Sequence, residues 1–298
     1  LINYSTAPSL EKDTFSVMTY NIGFMSGLTN NVATKFDPGL FRNNKDRAIE
    51  LVKKYQPDFI GFQEIDIDSK RSAFMNQLDT LGIYGDFKQA VLGINWDKRY
   101  VPFPYWPISA NYGKLLSAQA VLTKYPVTDY KRVLLEKPEA NPFYYNAFYI
   151  DRLIQVLKLD INGKPLVLIN VHLEAFDRET REKHAKVLLD TYKKYKNDYP
   201  VLVIGDFNSR QRMTNNQNEQ EATIDLFRNE PNLTMAISDK EFNTAPEDFF
   251  TFDSGKPYEK IDYIFYTNDK IKMVKAKVLK DAGTISDHLP VLMKFVLI

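Results

Sequence analysis

The sequence predicts an α/β (α+β) fold in which stacked sheets are flanked by helices. Apolar runs of strand length are spread over nearly the whole chain, whereas only three or four segments have the spacing of amphipathic helices. Asn162-Gly163 separates two of the apolar runs and predicts a two-residue hairpin between antiparallel neighbours. These observations do not favour the regular alternation of strands and helices that builds a single parallel sheet.

The composition is that of a globular protein with a large core. The 298 residues include no cysteine, carry a net charge of +1 and are 44% hydrophobic, so disulfides and thiolate zinc sites are not expected. The balanced charge disfavours a constitutive nucleic-acid binder, although a local basic patch would escape this count. The missing cysteine and the absence of an initiator Met favour a secreted or periplasmic location without deciding it.

A single domain is expected. The polar motifs described below extend from Asn21 to His288, no long linker is visible, and no apolar run approaches the roughly 20 residues of a membrane-spanning helix. We therefore predict one domain over residues 14–298, preceded by an N-terminal extension over residues 1–13. No obligate protein partner is evident, so a monomer is expected.

The elements follow from hydrophobic spacing and turn residues. In the first half we predict strands over residues 15–23 and 58–64 and helices over residues 42–55 and 71–81. Residues 86–116 are rich in aromatic side chains among prolines and glycines, which predicts a long functional loop.

In the second half, one charged amphipathic helix is predicted over residues 178–195, capped by Asp177. The polar stretch over residues 210–221 is predicted to be a surface loop. Strands are predicted over residues 118–127, 149–160, 164–174, 201–208, 260–267, 273–279 and 289–297.

Five of the apolar runs end abruptly in polar residues. A buried strand is built to exclude water, so carboxylates and imidazoles at its end indicate a polar cluster with a chemical role. The sequence therefore predicts a catalytic rim made of Asn21, Glu64, His172, Asp206, Asn208, Asp287 and His288.

The segment GDFN is the most specific of these signals. Strand alternation would point Asp206 and Asn208 to the same side. The carboxylate can orient water or protonate a departing oxygen, and the amide can donate to a phosphoryl oxygen. An Asx turn that closes the strand is the alternative. The same alternation places Asn170 and His172 on one face, although a hydrogen-bonded structural histidine is more common at such a position.

Asp262 lies inside an apolar strand, where an acid is costly unless it has a partner. His288 is the natural candidate, because a carboxylate on one imidazole nitrogen leaves the other free to take a proton from water. A salt bridge from Asp262 to Lys256 or Lys260 is the alternative. The adjacent Asp287 and His288 point opposite ways if the chain is extended, so one can bind a metal while the other faces a phosphate or water.

Oxygen-rich side chains indicate a hard cation. Glu64 with the amides of Gln63 and Asn21 suits magnesium, whereas the missing thiols and the absence of a closely spaced histidine pair disfavour zinc. The planar fork of Arg152 can hold a phosphate, and pairing with a carboxylate is an equal alternative.

Together these motifs resemble the endonuclease/exonuclease/phosphatase superfamily over nearly the full chain. The resemblance implies a deoxyribonuclease I-like four-layer α/β/β/α sandwich of two packed mixed or antiparallel sheets. It also implies metal-dependent hydrolysis of a phosphoester, which makes residues 14–298 a catalytic domain. The matching segments, in family order, are MTYNIG, FQE, NVHLE, GDFN, KIDYIF and SDHLPV.

The resemblance also implies roles for the rim residues. It places Glu64, Asn21 and Asp287 around Mg²⁺ or Mn²⁺. It makes His288 the base, paired with Asp262.

The phosphate side of the site is implied in the same way. His172 and Asn208 would hold the scissile phosphate, and Asp206 would position water or assist the leaving group. Arg152 corresponds to a position where some nucleases contact phosphate, and Asn170 is predicted beside it as a second substrate-binding residue. One departure from the family pattern is that SAQAVLTKYP offers no clear acid to pair with His172.

Three substrate classes are compatible with these motifs. A nuclease acting on DNA or RNA should show a basic groove beside His172 and Glu64. A lipid phosphodiesterase similar to sphingomyelinases, which recognises a phospholipid head group, should show an exposed apolar rim, and an enzyme acting on small phosphates should show a narrow pocket. The aromatic residues 95–112 could stack bases or a sugar, enter a lipid interface, or pack internally. A non-catalytic binding module of the same fold would show an incomplete set of site residues.

Overall fold

Thirteen strands form two sheets in the described part of the chain. The computed structural model describes residues 1–298 except 7, 8, 10, 31, 33, 35, 36 and 212–221. In chain order the strands are β1 (Ile2–Asn3), β2 (Phe15–Asn21), β3 (Phe59–Asp66), β4 (Gln89–Val101), β5 (Gly113–Thr123), β6 (Val127–Leu134), β7 (Leu153–Ile161), β8 (Lys164–His172), β9 (Val201–Asp206), β10 (Leu233–Met235), β11 (Asp262–Thr267), β12 (Ile271–Val278) and β13 (Val291–Leu297).

Both sheets are mixed. The first has the strand order β1-β4-β5-β3-β2-β13-β12, and the second has the order β10-β11-β9-β8-β7-β6. The parallel pairs are β2 with β3 and β8 with β9, and the remaining neighbours run antiparallel. The hairpin predicted at Asn162-Gly163 joins β7 to β8, as the turn residues indicated.

The described chain forms six α-helices. They are α1 (Pro38–Tyr55), α2 (Gln77–Tyr84), α3 (Phe143–Phe148), α4 (Arg178–Lys193), α5 (Thr223–Arg228) and α6 (Asp239–Thr244). Along β8, Leu166 and Leu168 enter the core between the sheets, whereas Val167 and Ile169 pack beneath α4 and α5. Because α1 and α2 pack with the first sheet, the layers are α/β/β/α, as the resemblance implied.

Helix ends follow their capping residues. The α1 helix begins earlier than predicted because Asp37 accepts a hydrogen bond from the Gly39 N–H and Pro38 occupies the first turn. It ends at Tyr55, where Gln56 is left-handed. Asp177 caps α4 through the Thr180 N–H, as predicted.

The predicted long loop over residues 86–116 is wrong for most of its length. β4 extends for 13 residues and pairs with β5, so only residues 102–112 connect them. The prediction gave too much weight to glycine and proline. Trp96, Ile94 and Tyr100 have side chains that favour strands, and burial along β4 alternates over much of its length.

Other boundaries also shift. Pro126 separates β5 from β6 within the single strand predicted over 118–127, and the strand predicted over 149–160 begins only at Leu153. The described residues near the N-terminus join the first sheet, since Ile2 and Asn3 pair with β4. Residues 212–221 of the predicted surface loop lie outside the described residues. Among the helices of the described chain, none is both long and apolar enough to cross a membrane.

Candidate active site

The polar strand ends meet in one cleft of about 920 Å³ at the edge of the two sheets. They come from both sheets: β2, β3 and the segment before β13 belong to the first, and β8 and β9 to the second. The predicted residues that line the cleft are Asn21, Glu64, Arg152, His172, Asp206, Asn208, Asp287 and His288.

Ser286 fixes the Asp287-His288 pair against the end of β2. Its hydroxyl donates to the backbone oxygen of Asn21 at 2.8 Å and accepts from the His288 N–H at 3.1 Å. Ser286 is fully buried, so this small polar side chain ties two segments that are far apart in sequence. The consequence is that the last motif of the chain is held beside the first.

A β-bulge turns Glu64 towards the cleft. The pairing of β3 with β5 shifts register between Phe62 and Ile65, and Glu64 has a left-handed φ of 54°. Glu64 is the only residue of β3 that is not fully buried. Bulges commonly re-aim a side chain next to an active site, and a left-handed non-glycine residue persists there only if its surroundings hold it.

Glu64 and Asp287 form a carboxylate pair bridged by Asn30. The Asn30 amide donates to Glu64 Oε2 at 2.9 Å and lies 3.3 Å from Asp287 Oδ2. Burial, reinforced by the charge of Glu64, raises the pKa of Asp287. Two close, partly buried carboxylates with an amide beside them are the hard oxygen donors that Mg²⁺ and Mn²⁺ prefer.

His288 and Asp262 form the second part of the site. Nδ1 of His288 lies 2.9 Å from Asp262 Oδ2, and the ring packs 5.0 Å from that of Phe252. Burial alone would lower the pKa of His288, but the charges of Asp262 and Asp206 outweigh it and hold this pKa well above its usual range. The pair therefore fixes a proton on Nδ1 and leaves Nε2 facing the cleft.

Asp206 lies between the two histidines of the cleft. Its Oδ2 accepts a hydrogen bond from Asn21 Nδ2 at 3.0 Å and lies 3.4 Å from His172 Nε2 and 3.8 Å from His288 Nε2. Burial raises the pKa of Asp206 to about 7. The preceding Gly205 is required by close packing, because a Cβ there would lie 2.0 Å from the Val171 carbonyl oxygen.

Arg152 contacts His172 and a buried acid. Its Nη1 lies 2.6 Å from His172 Nε2, and its Nε lies 3.7 Å from Glu174 Oε2. Tyr149 donates to the other Glu174 oxygen at 2.6 Å. Burial, followed by the positive charges of Arg152 and His288, holds the pKa of His172 well below its usual range.

A sequence model of the Endonuclease/Exonuclease/phosphatase family matches residues 18–288. The chain belongs to this family. Its members are hydrolases that act on phosphoester bonds. The order of the matched segments and the joining of residues 21 and 288 in one cleft agree with that membership.

Similar proteins extend the comparison of this family member. UPF0294 proteins of Vibrio cholerae serotype O1 are 30% identical over 136 residues, which are 45% of this chain and 41% of theirs; the match thus spans less than half of these relatives. An endonuclease/exonuclease/phosphatase from Beutenbergia cavernae has a TM-score of 0.69 at 19% identity, over 96% of this chain and 72% of that one. The human Nocturnin catalytic domain with bound sulfate has a TM-score of 0.64 at 18% identity, over 99% and 100%. The structural similarity establishes the fold.

Asn170 does not reach the cleft of this family member, so its predicted substrate contact is wrong. It does share a face with His172, but that face lies in the interior between the sheets. Its amide donates to the carbonyls of Phe62 and Ala120, and its oxygen accepts from Gln63 at 2.7 Å. Asn170 is fully buried, and it satisfies polar groups where the two sheets meet.

Asn208 reaches the cleft by a different route from the one predicted. β9 ends at Asp206, so strand alternation does not extend to Asn208, whose φ is 49°. Its N–H donates to Asp206 Oδ1 at 2.8 Å, which is the Asx turn considered as the alternative, and its amide donates to the Leu173 carbonyl. The turn and the site therefore use the same residues.

The Asn21 side chain forms hydrogen bonds to Gly23 and Asp206 and does not face only the Glu64 and Asp287 carboxylates. Its oxygen accepts from the Gly23 N–H at 3.1 Å, while its amide donates to Asp206. A role as metal ligand therefore depends on the second lone pair of that oxygen and stays a prediction.

A second grouping of possible ligands consists of Asp206, Asp262 and His288, whose donor atoms lie within 4.8 Å of one another. Two of these three already bond to each other, since Asp262 accepts from His288. A cation among them would displace that bond. The Glu64 and Asp287 carboxylates, bridged only by an amide, therefore fit a hard cation better.

One wall of the cleft is aromatic and is buttressed by Arg71. The guanidinium carbon lies 3.2 Å from the ring centroid of Phe24, 5.1 Å from that of Trp96 and 4.8 Å from that of Tyr112. Its nitrogens donate to both oxygens of the buried Asp66 at 3.1 and 3.0 Å. Arg71 and Asp66 were missed at the sequence level, because nothing in the spacing of residues 66–71 indicates contact with residues 96 and 112.

Proposed function

We propose that this family member is a hydrolase that uses a divalent cation and a histidine-activated water to cleave a phosphoester. The observation that carries the proposal is the joint placement, in one cleft, of a bridged carboxylate pair and a carboxylate-oriented imidazole. The first suits a cation and the second suits proton abstraction. A binding module that had lost activity would have no need to keep both.

His288 is proposed to take the proton from the attacking water. Asp262 holds the Nδ1 proton, so only Nε2 is available, and it faces Asp206 and the cleft. The carboxylate also stabilises the imidazolium that forms as the proton is transferred. The raised pKa of His288 makes its neutral form a strong base.

Arg152, His172 and Asn208 are proposed to hold the phosphoryl group. The guanidinium is nearly buried and is anchored by Glu174, so it offers a fixed positive charge to phosphoryl oxygens. Asp206, with a pKa of about 7, is in part protonated at neutral pH and can pass that proton to the departing oxygen.

Glu64 and Asp287 are proposed to bind Mg²⁺ or Mn²⁺, with the Asn21 oxygen as a neutral third ligand. Such a cation would offset the negative charge that develops on the phosphoryl oxygens. Asn30 would have to release at least one carboxylate when the ion binds, because its amide now occupies the space between them.

Direct assay tests this proposal. Purified protein would be incubated with p-nitrophenyl phosphate, bis-p-nitrophenyl phosphate, plasmid DNA, RNA, sphingomyelin and phosphoinositides, each with Mg²⁺, Mn²⁺ or EDTA. We expect turnover of at least one phosphoester with a cation and none with EDTA. Hydrolysis unaffected by EDTA, in protein shown by metal analysis to hold no ion, would contradict the cation role. Equal activity of His288→Ala would contradict the base.

A further inference from the structure

Large apolar side chains stand exposed on three segments beside the cleft. They belong to the β4–β5 connection, to α3 and to the turn before α4, and their exposed fractions run from 62% for Tyr144 to 87% for Phe143. Soluble proteins rarely expose apolar side chains in such a group without a binding role. We call this group the aromatic rim; it consists of Tyr105, Trp106, Ile108, Phe143, Tyr144 and Phe176.

The aromatic rim is continuous with the cleft. Tyr105 and Phe176 are both highly exposed and also line the cavity that contains His288 and Glu64. The rim therefore borders the entrance used by a substrate. A folded protein seated on the rim would close that entrance, whereas an assembly that itself presents the substrate would not.

The backbone that carries the rim is fixed. Asn111 donates to the Pro102 carbonyl at 3.1 Å and accepts from the Tyr100 hydroxyl at 2.6 Å. In the α3 segment of the rim, the Phe148 carbonyl accepts a hydrogen bond from Trp96 Nε1 at 2.9 Å, and the Asn146 carbonyl accepts one from Lys137 at 2.8 Å. The rim is thus held outward by ordered segments and does not fold back onto the core.

The lack of charge in two of the three rim segments indicates which kind of partner the rim binds. Residues 100–113 and 140–150 contain no Asp, Glu, Lys, Arg or His, whereas the third segment, around Phe176, is followed by Arg178 and Arg181 at the cleft. Nucleic-acid binding relies on cations that neutralise phosphates, and the two segments that carry five of the six rim side chains supply none. Uncharged segments with Trp, Tyr and Phe match the interfacial layer of a bilayer, where an amphipathic ring lies at the level of the head groups.

We propose that the aromatic rim docks the cleft on a lipid surface of zwitterionic or neutral head groups. Taken together with the proposed function, on which this step rests, docking makes the substrate a phosphoester carried by an amphiphile in that surface. The binding step itself needs no turnover and stands on the rim alone.

Vesicle binding tests the docking. The full chain and two triple variants would be sedimented with phosphatidylcholine vesicles in EDTA at about 0.1 M and about 0.5 M NaCl. The rim variant is Trp106→Ala, Ile108→Ala and Phe143→Ala, none of which lines the cleft. The control variant is Ile83→Ala, Tyr130→Ala and Val274→Ala, whose side chains are 61%, 47% and 56% exposed on other surfaces.

We expect the wild type and the control to bind at both salt concentrations, and the rim variant to bind at least about tenfold more weakly. Trp106 and Trp96 are the two tryptophans, so the emission that Trp106→Phe removes belongs to Trp106, and in the wild type that emission should shift to the blue on vesicles and be quenched by brominated lipid. No binding by the wild type, equal binding by the rim variant, or binding that requires anionic lipid and is lost at high salt would each overturn the proposal. So would a dimer that the rim variant converts to a monomer.

The two proposals fail separately. If the protein hydrolyses a water-soluble ester but does not bind vesicles, the docking inference is wrong and the proposed function stands. If it binds vesicles through the rim but hydrolyses no phosphoester, the proposed function is wrong and the docking stands.

Discussion

Nη1 of Arg152 lies 2.6 Å from Nε2 of His172, so the imidazole accepts a hydrogen bond from a permanent cation. Burial, together with this contact, lowers the pKa of His172, whereas its carboxylate neighbours raise the pKa of His288. The surroundings of the two histidines in one cleft therefore shift their pKa values in opposite directions. Such divergence is typical of sites where one group binds and the other transfers a proton.

Removing the proton-handling groups should abolish most activity. We expect His288→Ala and Asp206→Ala each to lower kcat by at least about 100-fold, the effect of losing one buried group that stabilises the transition state. Asp269→Ala, on the exposed turn after β11, is the matched control and should keep its activity. Near-wild-type kcat in either folded site variant would remove that residue from the mechanism.

Arg152→Lys should separate phosphate binding from folding. Lysine keeps a charge for Glu174 but has no planar fork, so it contacts the acid and the phosphoryl group less well than arginine does. We expect kcat/KM to fall by about tenfold or more while the melting temperature changes little. An unchanged kcat/KM would show that Arg152 serves only to position His172.

Adding Mg²⁺ should stabilise the fold through the carboxylate pair. Glu64 and Asp287 repel each other across Asn30, and a ligand that binds only the native state raises the melting temperature. We expect a rise with wild-type protein and a much smaller one with Glu64→Gln. A rise of equal size in Glu64→Gln would place the cation elsewhere, for instance at Asp206, Asp262 and His288.

Arg71→Met should affect both stability and substrate affinity. It leaves the fully buried Asp66 without its ion-pair partner, which typically costs about 3–5 kcal/mol of unfolding free energy. The double variant Asp66→Asn with Arg71→Met removes the unpaired charge and should recover part of that loss. If the aromatic wall binds substrate, KM should stay raised in the double variant, whereas recovery of both quantities would make Arg71 purely structural.

His184 should make the protein less stable in mild acid. Burial lowers the pKa of this imidazole below the value of 6.5 expected when unfolded, so the unfolded chain binds more protons as the pH falls below 6.5. We expect the free energy of unfolding to fall less between pH 6.5 and about pH 5 in His184→Gln than in the wild type. The glutamine can still donate to the Glu136 carbonyl.

The informative quantity is the difference between wild type and His184→Gln in how the free energy of unfolding changes with pH. The raised pKa of Asp206 acts in the opposite direction in the same range, because that carboxyl binds its proton more tightly when folded. His288, whose pKa is raised in the folded protein, affects the pH dependence of the free energy of unfolding above pH 6.5. Identical slopes for wild type and His184→Gln would show that His184 is not buried in solution.

The parts of the site that lie on regular strands followed from the sequence. The period of two along β8 correctly related Asn170 to His172, and the isolated acid in β11 correctly pointed to a histidine partner. Strand alternation predicts on which face of the sheet a side chain lies, but not how far the residue is from the strand end that forms the cleft. Asn170 was therefore wrongly predicted to contact substrate. The bulge at Glu64 and the Asx turn at Asn208 break the period, so no pattern could specify their geometry.

The missed residues act across large separations in sequence. Asn30 bridges two carboxylates from a connection without regular spacing, and Tyr149 reaches Glu174 from the end of α3. The domain division at residue 14, the monomeric state and the location outside the cytoplasm stay predictions.

The hydrogen bond from Ser286 to Asn21 sets a condition for assembly of the cleft during synthesis. Asn21 is translated 265 residues before Ser286. Ser286 emerges with Asp287 and His288 just before β13, the strand that pairs between β2 and β12. A nascent chain that ends before Ser286 therefore cannot assemble the cleft, and we expect it to hydrolyse no phosphoester.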